Sequence, residues 1–193
     1  MKTHLALFGA AALVAIWPSA GSSAPDPQDW PVYLGGKERN LFSPLTQINR
    51  KNVKSLEVAW SHDTGHKSEY QANNLIIRGI LYTPTATREI LALDAGTGKT
   101  IWKWDPGQEK TGRGGQRQRG LVYWENDQGG ERRLLTGVKG HLFAVDPDTG
   151  KTIREFGENG SINLGSGLNT PGVIYQDLVI VGGVGGVGAV RAY

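Results

Sequence analysis

Three short motifs in the sequence carry residue types that could bind a phosphate group or a metal ion. Residues 183–188 fit the Gly-x-Gly-x-x-Gly fingerprint, in which backbone N–H groups at a helix start hold a dinucleotide pyrophosphate. Residues 98–100 and 150–152 both read Gly-Lys-Thr, the ending of a phosphate-binding loop. His62 and His66 have the spacing that places two imidazoles on one metal ion if the segment is helical.

None of these motifs has the surroundings that its chemistry needs. The dinucleotide fingerprint requires a helix next, and the residues after Gly188 read as a strand. The phosphate loop requires a first glycine where Leu93 and Val145 stand. Gly65 and its polar neighbours indicate a loop between the two histidines. The sequence therefore predicts neither a nucleotide site nor a metal site built on the histidine pair.

The composition favours a β-rich globular protein and excludes several other classes. The chain has 193 residues with 28 glycines, six tryptophans and no cysteine, so it is not a disulfide-stapled mini-domain. The tryptophans and many aliphatic residues can form a core, which argues against intrinsic disorder. Twenty-one basic residues are nearly balanced by 18 acidic ones. The basic run 110–119 lies among Gly and Gln, which predicts a solvated loop and no nucleic-acid partner.

The N-terminal residues 1–20 are predicted to be a secretory signal peptide. Lys2 supplies a positive charge, residues 5–17 form an apolar run, and small residues follow. This run is shorter than the roughly 20 residues that span a bilayer. Cleavage after residue 20 is expected, because a cut after Ala24 would leave a proline beside the broken bond. We expect an exported, periplasmic protein with no transmembrane segment in the mature chain, beginning with an N-terminal extended segment, 21–55.

Residues 56–193 contain a repeated unit. Residues 92–102 recur as 144–154, and a third copy begins at 190–193. Each unit reads as short strands with turn signals between them, and four strands repeated at roughly 50 residues are typical of β-propeller blades. The predicted strands are 74–78, 80–84, 90–93 and 100–104 in the first unit, 121–124, 132–136, 142–145 and 152–156 in the second, and 172–175, 178–181 and 189–193 in the third.

The repeated turn motif has a defined structural role in such a blade. Its aspartate can accept hydrogen bonds from backbone N–H groups of the turn, and its glycine can adopt a positive φ. Trp102 is expected to lie flat on the neighbouring blade and seal the seam, whereas Arg154 at the matching position predicts a weaker or different seam. The motif residues are Asp94, Thr97, Gly98 and Trp102 in the first copy and Asp146, Thr149 and Gly150 in the second.

One further segment, residues 56–60, precedes the first complete unit and ends in Trp60. It reads as an outermost strand without inner strands before it. In a ring, such a strand would complete the last blade, whose other three strands would come from the C-terminus. The predicted fold is therefore all-β: about two and a half blades plus an orphan closing strand.

Four segments of the chain occur together in a recognisable order. Residues 92–102 read Ala-x-Asp-x-x-Thr-Gly-Lys-x-x-Trp, and the others are 29–36, 119–124 and 170–178. They resemble the tryptophan-docking motif, the opening and two later segments of pyrroloquinoline quinone (PQQ) dehydrogenases, with the quinoprotein glucose dehydrogenase type most similar. This resemblance extends from residue 29 to the last residue. It implies the N-terminal part of an eight-bladed propeller with PQQ near its axis.

The resemblance also implies an activity. PQQ dehydrogenases oxidise a sugar, here glucose-like, or an alcohol, and pass electrons to a respiratory quinone or cytochrome. A Ca²⁺ ion is implied as the Lewis acid beside the quinone. The family's general base lies downstream of this chain, so no catalytic residue is assigned, and we expect this portion alone to be inactive. The loop 182–188 lacks the calcium-binding glutamate of the alcohol-oxidising relatives, which leaves the metal ligands undecided.

Four candidate cofactor-binding residues follow from the resemblance. Arg119 matches the arginine that approaches PQQ, and a guanidinium fork suits a quinone carboxylate or carbonyl. Gln71 or Glu69, depending on register, falls near a family glutamate and could touch the cofactor; a polar loop is the other interpretation. Thr170 precedes the inner strand of a blade and is expected to face PQQ.

A non-catalytic PQQ-like propeller-repeat scaffold of the cell envelope is the alternative. If the chain were a lipid-anchored scaffold of this kind, a cysteine for lipid attachment would be expected just after the signal peptide. The sequence contains no cysteine. They also do not usually carry the opening 29–31 or the segment 119–124. The enzyme lineage is therefore favoured.

Overall fold

The computed structural model describes residues 28–36, 39–67, 71–109, 112, 119–170, 172–184 and 188–193. Within these residues the regular structure consists of eleven strands in three antiparallel sheets and two short 3-10 helices, so the all-β prediction is confirmed. The predicted signal peptide and Glu69 lie outside the described residues.

The three sheets follow one another along the chain, and consecutive strands are paired within each. Their order is β1-β2-β3-β4, β5-β6-β7-β8 and β11-β10-β9. The strands are β1 (Leu75–Ile77), β2 (Ile80–Pro84), β3 (Ile90–Asp94), β4 (Thr100–Trp104), β5 (Val122–Glu125), β6 (Arg132–Val138), β7 (His141–Val145), β8 (Ser161–Asn163), β9 (Val173–Tyr175), β10 (Leu178–Val184) and β11 (Ala189–Ala192). The 3-10 helices are Val53–Ser55 and Pro106–Gln108.

Two apolar clusters lie between neighbouring sheets, which identifies the sheets as successive blades. One cluster joins the first two sheets and includes Tyr82, Trp104 and Phe143, and the other joins the last two and includes Leu135 and Val181. The middle strands β3 and β7 are almost completely buried, because a blade or chain segment covers each of their faces. Short continuous apolar runs between turn signals are the sequence pattern of such strands.

The fourth strand of the second blade does not lie where the sequence predicted it. The prediction 152–156 is wrong: only Thr152 makes a bridge, to Val145, and the outer strand is β8. The chain leaves the sheet after this bridge and returns through a turn in which Asn159 and Gly160 have φ of +53° and +92°. Arg154, in the place of a tryptophan, donates instead to the Asn159 carbonyl and to Glu109.

The orphan segment 56–60 forms no strand among the described residues, and Val58 is 84% exposed. Its tryptophan nevertheless docks on the first blade, because the Trp60 indole N–H donates to the Ala95 carbonyl at 3.1 Å. Pairing of this segment with a later blade stays a prediction. The inner edge of the first blade is instead covered by Trp30, which bridges Ile76 through two backbone hydrogen bonds.

The tryptophan-docking prediction is confirmed at the seam between the first two blades. The Trp102 indole N–H donates to the Pro147 carbonyl at 3.0 Å. Its ring covers Gly150, whose φ is +67°. Trp60 covers Gly98 in the same way. Each tryptophan therefore closes on the turn of the next blade through one hydrogen bond and one ring-to-glycine contact.

The aspartates hold these turns as expected. Asp94 Oδ1 accepts from the Thr97 backbone N–H at 2.8 Å and from its hydroxyl at 2.7 Å. These hydrogen bonds lower the pKa of Asp94. Asp146 Oδ1 accepts from the backbone N–H groups of Asp148 and Thr149 at 2.8 and 3.1 Å. The turn conformation that receives the tryptophan is thus fixed by one carboxylate in each copy.

Gly150→Ala is expected to destabilise the protein by more than about 2 kcal/mol, the sum of a left-handed backbone penalty and overpacking. An added Cβ would lie 2.6 Å from ring carbons of Trp102. Gly79→Ala is the matched control, because Gly79 has φ +77° and open space around it. Urea unfolding of both variants measures the difference. Equal losses would contradict a tight ring-to-glycine contact.

Candidate functional site

The segments that precede the first strands of the three blades are tied together by backbone hydrogen bonds. Asn73, two residues before β1, donates its N–H to the Arg119 carbonyl at 3.4 Å, and its side-chain amide donates to the same oxygen at 2.8 Å. Arg119, three residues before β5, donates its N–H to the Asn169 carbonyl at 3.0 Å. Asn169 in turn leads to β9. We call this chain of contacts the strand-start ladder.

The strand-start ladder brings three of the four predicted cofactor-binding residues to one end of the blades. Arg119 is part of the ladder, Gln71 lies two residues before Asn73, and Thr170 follows Asn169. All three side chains are exposed. In the part of the chain that is described, the Arg119 guanidinium forms no ion pair. A cation and two neutral polar groups therefore lie at this end of the blades.

The connection between β2 and β3, residues 85–89, contains a buried arginine that the sequence did not single out. Arg88 is 2% exposed. Its Nη1 donates to the carbonyls of Gly137 and Leu168, the latter at 3.1 Å, and its Nη2 donates to Asn169 Oδ1 at 3.2 Å. Burial lowers the pKa of Arg88. One side chain of the first blade thus reaches the second blade and the segment before the third.

Glu89, the next residue, is also buried and receives hydrogen bonds from the opposite side. Its carboxylate contacts His66 Nε2 at 2.7 Å and accepts from Lys103 Nζ at 3.2 Å. Burial alone would raise the pKa of Glu89, but the hydrogen bonds and charges of His66 and Lys103 outweigh it, so the pKa is lowered. The group is therefore a carboxylate at neutral pH that anchors the segment containing His66.

The lowered pKa of Glu89 predicts acid destabilisation. Its ordinary value is 4.5, so its contribution to the free energy of unfolding is complete above that pH and is lost as the pH falls below it. Glu89→Gln is expected to be less stable at pH 7 and to lose less stability on acidification than the wild type. Urea unfolding at pH 7 and at pH 3 measures how much free energy of unfolding each protein loses on acidification. Equal losses in the wild type and in Glu89→Gln would contradict an ionised, hydrogen-bonded carboxylate.

An open cleft of about 550 Å³ lies beside Arg88. It is also lined by Lys139, Asn163 and Ser166 with glycine backbone between them.

The histidine pair has separate partners, since His62 contacts the Gly98 carbonyl and His66 contacts Glu89. Among the described residues no three acids or histidines are grouped as metal ligands.

The glycine-rich motif does not have the surroundings of a dinucleotide site. The glycine-rich stretch around 183–188 connects β10 to β11, so a strand follows it and not the helix of a dinucleotide site. Long apolar helices capable of crossing a membrane do not occur in the described ranges.

Comparison with known proteins gives a consistent family. Residues 30–190 match the family model described as the glucose/ethanol/alcohol dehydrogenase β-propeller domain. The chain is 35% identical over 180 residues to methanol dehydrogenase [cytochrome c] subunit 1 of Paracoccus denitrificans, covering 88% of this chain and 28% of the relative. It is 31% identical over 192 residues to quinoprotein glucose dehydrogenase A of Acinetobacter calcoaceticus, covering 80% and 24%.

A solved structure shares the same architecture. The crystal structure of quinohemoprotein alcohol dehydrogenase from Comamonas testosteroni matches with a TM-score of 0.66 and 27% identity, covering 83% of this chain and 24% of that one. The chain thus spans about a quarter of the length of these relatives.

Proposed function

The chain belongs to the family of PQQ-dependent dehydrogenase β-propellers, and on this basis we propose that it supplies the N-terminal blades of an enzyme that oxidises a sugar or an alcohol. The observation that carries the proposal is the family match over residues 30–190, which covers the first two blades and extends into the last strand of the third. The docked Trp102 supports it, because it occurs where the repeated motif predicts it. The substrate is a glucose-like sugar or a simple alcohol.

The strand-start ladder suits PQQ, a planar quinone that carries carboxylates. Arg119 is exposed and forms no ion pair within the described ranges, so its guanidinium can donate two parallel hydrogen bonds to a carboxylate or carbonyl. Gln71 and Thr170 add neutral donors on either side. When bound, PQQ supplies the two-electron oxidant for the substrate C–H bond. The residues of this chain would bind and orient the quinone.

The metal ion implied with PQQ, expected to be Ca²⁺, is not assigned to described residues here. Among those residues no three acidic or histidine side chains are grouped as metal ligands, and the loop 182–188 contains no acid. Carboxylate and carbonyl oxygens are the ligands that Ca²⁺ prefers. The metal ligands stay unassigned in this chain.

Export to the periplasm is part of the proposal. It is supported by the charged, apolar and small-residue order of the N-terminus. A respiratory quinone or cytochrome is proposed as the electron acceptor. The relatives named methanol dehydrogenase [cytochrome c] and alcohol dehydrogenase (quinone) support these two acceptor classes.

We expect the 193-residue chain by itself to be inactive, because three blades do not close a ring around a cofactor. Purified chain is incubated with PQQ and Ca²⁺ and assayed for dye-linked oxidation of glucose, methanol and ethanol. No turnover is expected. Turnover by this chain alone would overturn the prediction.

A second assay tests the dehydrogenase itself. The product of the whole gene is purified from the cell envelope of the organism that carries the gene and is incubated with PQQ and Ca²⁺. It is expected to oxidise glucose, methanol or ethanol. A reconstituted product that oxidises none of these substrates and does not bind PQQ would contradict the proposal and favour the scaffold alternative.

A further inference from the structure

The 85–89 connection lies between the two sets of segments that carry the candidate cofactor-binding residues. On one side Arg88 reaches the second blade and Asn169. On the other side Thr87 and Glu89 hold His66, from which the chain leads to Gln71. Five consecutive residues of the first blade therefore contact the 168–169 segment of the strand-start ladder on one side and His66 on the other.

Arg88 donates hydrogen bonds to oxygen atoms in or next to the strand-start ladder. Its acceptors are the Gly137 carbonyl of β6, the Leu168 carbonyl and the Asn169 side chain. The Asn169 carbonyl accepts the Arg119 N–H, and Thr170 is the next residue. Displacing Asn169 would therefore move both the backbone at Arg119 and the start of the segment that carries Thr170.

The backbone at Arg88 supports a specific role for this side chain. Its φ is +67°, a left-handed conformation that residues with a Cβ rarely adopt. The Thr85 carbonyl accepts the Arg88 N–H at 3.0 Å, and the Glu89 carbonyl accepts the Thr85 N–H at 2.8 Å, which closes the turn. Strained conformations persist where the surrounding structure fixes them. The turn therefore delivers the guanidinium into the seam at one defined place.

We propose that the 85–89 turn is a positioning element, with Arg88 as its principal residue, that sets the spacing of the strand starts carrying Gln71, Arg119 and Thr170. The proposal rests on the function proposed above for those three residues. Arg88 itself is not assigned a contact with the cofactor. It acts through the Leu168 carbonyl and Asn169.

Lysine cannot replace Arg88 in this role. The guanidinium is a planar fork, and its two terminal nitrogens reach three acceptors on two segments, Gly137 of β6 and the adjacent residues Leu168 and Asn169. A single ammonium keeps the charge but cannot span the same set. Methionine keeps much of the length and removes every donor, which leaves buried carbonyls without their partner.

Amide hydrogen exchange of the 193-residue chain tests the positioning without any cofactor. Arg88→Met is expected to accelerate exchange of the Arg119 amide at least tenfold and to leave the Gly150 amide unchanged. The Gly150 N–H donates to the Asp146 carbonyl in the outer turn of the second blade. Arg88→Lys is expected to give an intermediate acceleration at Arg119. It is also the second variant if Arg88→Met does not fold.

Arg154→Met is the matched control. Arg154 is also an arginine with a carbonyl acceptor, Asn159, but it is exposed and belongs to the outer side of the second blade. It is expected to leave Arg119 exchange unchanged. Equal acceleration at Arg119 and Gly150 in the Arg88 variants would indicate general destabilisation and overturn the proposal. Unchanged exchange at Arg119 would overturn it as well.

PQQ binding by the product of the whole gene tests the consequence for the cofactor. Arg88→Met is expected to raise the PQQ dissociation constant about tenfold, with Arg88→Lys between it and the wild type. An unchanged dissociation constant would overturn the link to the cofactor. If the wild-type product does not bind PQQ, the proposed function fails instead, and the exchange experiment still decides whether Arg88 positions the ladder.

Discussion

Trp102→Ala is expected to lower the free energy of unfolding by about 3 kcal/mol, near the lower end for truncating a large aromatic side chain, because Trp102 is only half-buried. The substitution removes the ring that covers Gly150 and the hydrogen bond to the Pro147 carbonyl. It also removes the contact with Tyr82, whose ring centroid lies 5.8 Å away. Urea unfolding followed by far-UV circular dichroism measures the loss.

Trp102→Phe separates the ring from its hydrogen bond. It keeps an aromatic ring near Gly150 but loses the N–H donor and part of the indole ring, so a loss of about 1–2 kcal/mol is expected, smaller than that of Trp102→Ala. Tyr82 donates its hydroxyl to the same Pro147 carbonyl at 3.1 Å, and burial raises the pKa of Tyr82 to about 12. The carbonyl therefore keeps one donor in the phenylalanine variant. Losses below about 1 kcal/mol for Trp102→Ala would contradict the seam described here.

Arg119→Ala is expected to weaken PQQ binding by the product of the whole gene by about 10- to 100-fold. This range corresponds to roughly 1.5–3 kcal/mol for a hydrogen bond to a charged group. Because the ladder uses only the backbone of Arg119, the variant is expected to keep its thermal stability. Fluorescence titration with PQQ measures the dissociation constant, and a melting curve checks the fold.

Arg191→Ala provides the control for Arg119. Arg191 is an exposed arginine on β11, and it has no place in the ladder. Its removal changes the net charge equally and is expected to leave the PQQ dissociation constant within about twofold. Equal weakening by both variants would show that Arg119 acts only through overall charge.

The repeated motif carried most of the fold prediction, because its signals are local. Asp94, Gly98 and Trp102 each act within a few residues or on the adjacent blade, so their spacing along the chain reflects their geometry. β2 and β4 were predicted with the bounds that the structure shows. The outer strand of the second blade was missed, because the pattern after Thr152 continues as a strand in sequence while the chain turns away at Gly157 and Gly160.

The candidate site was predicted only at its exposed residues. Arg119 and Thr170 were assigned through the resemblance, and the structure places both along the ladder. Arg88 and Glu89 were not assigned, because a charged pair between two strands usually predicts a solvated turn. Their burial depends on contacts with the second blade and with His66, both distant in sequence, and no local pattern encodes them.

The most direct measurement is the DNA sequence of the gene beyond codon 193. In the third copy of the repeated motif the last residue is Tyr193, which matches Leu93 and Val145. The next position of the motif is the turn aspartate. We expect an in-frame aspartate codon, followed by Thr-Gly and further four-stranded units that complete the ring. A stop codon there, with no downstream blades in any reading frame, would contradict the assignment of this chain to a working dehydrogenase.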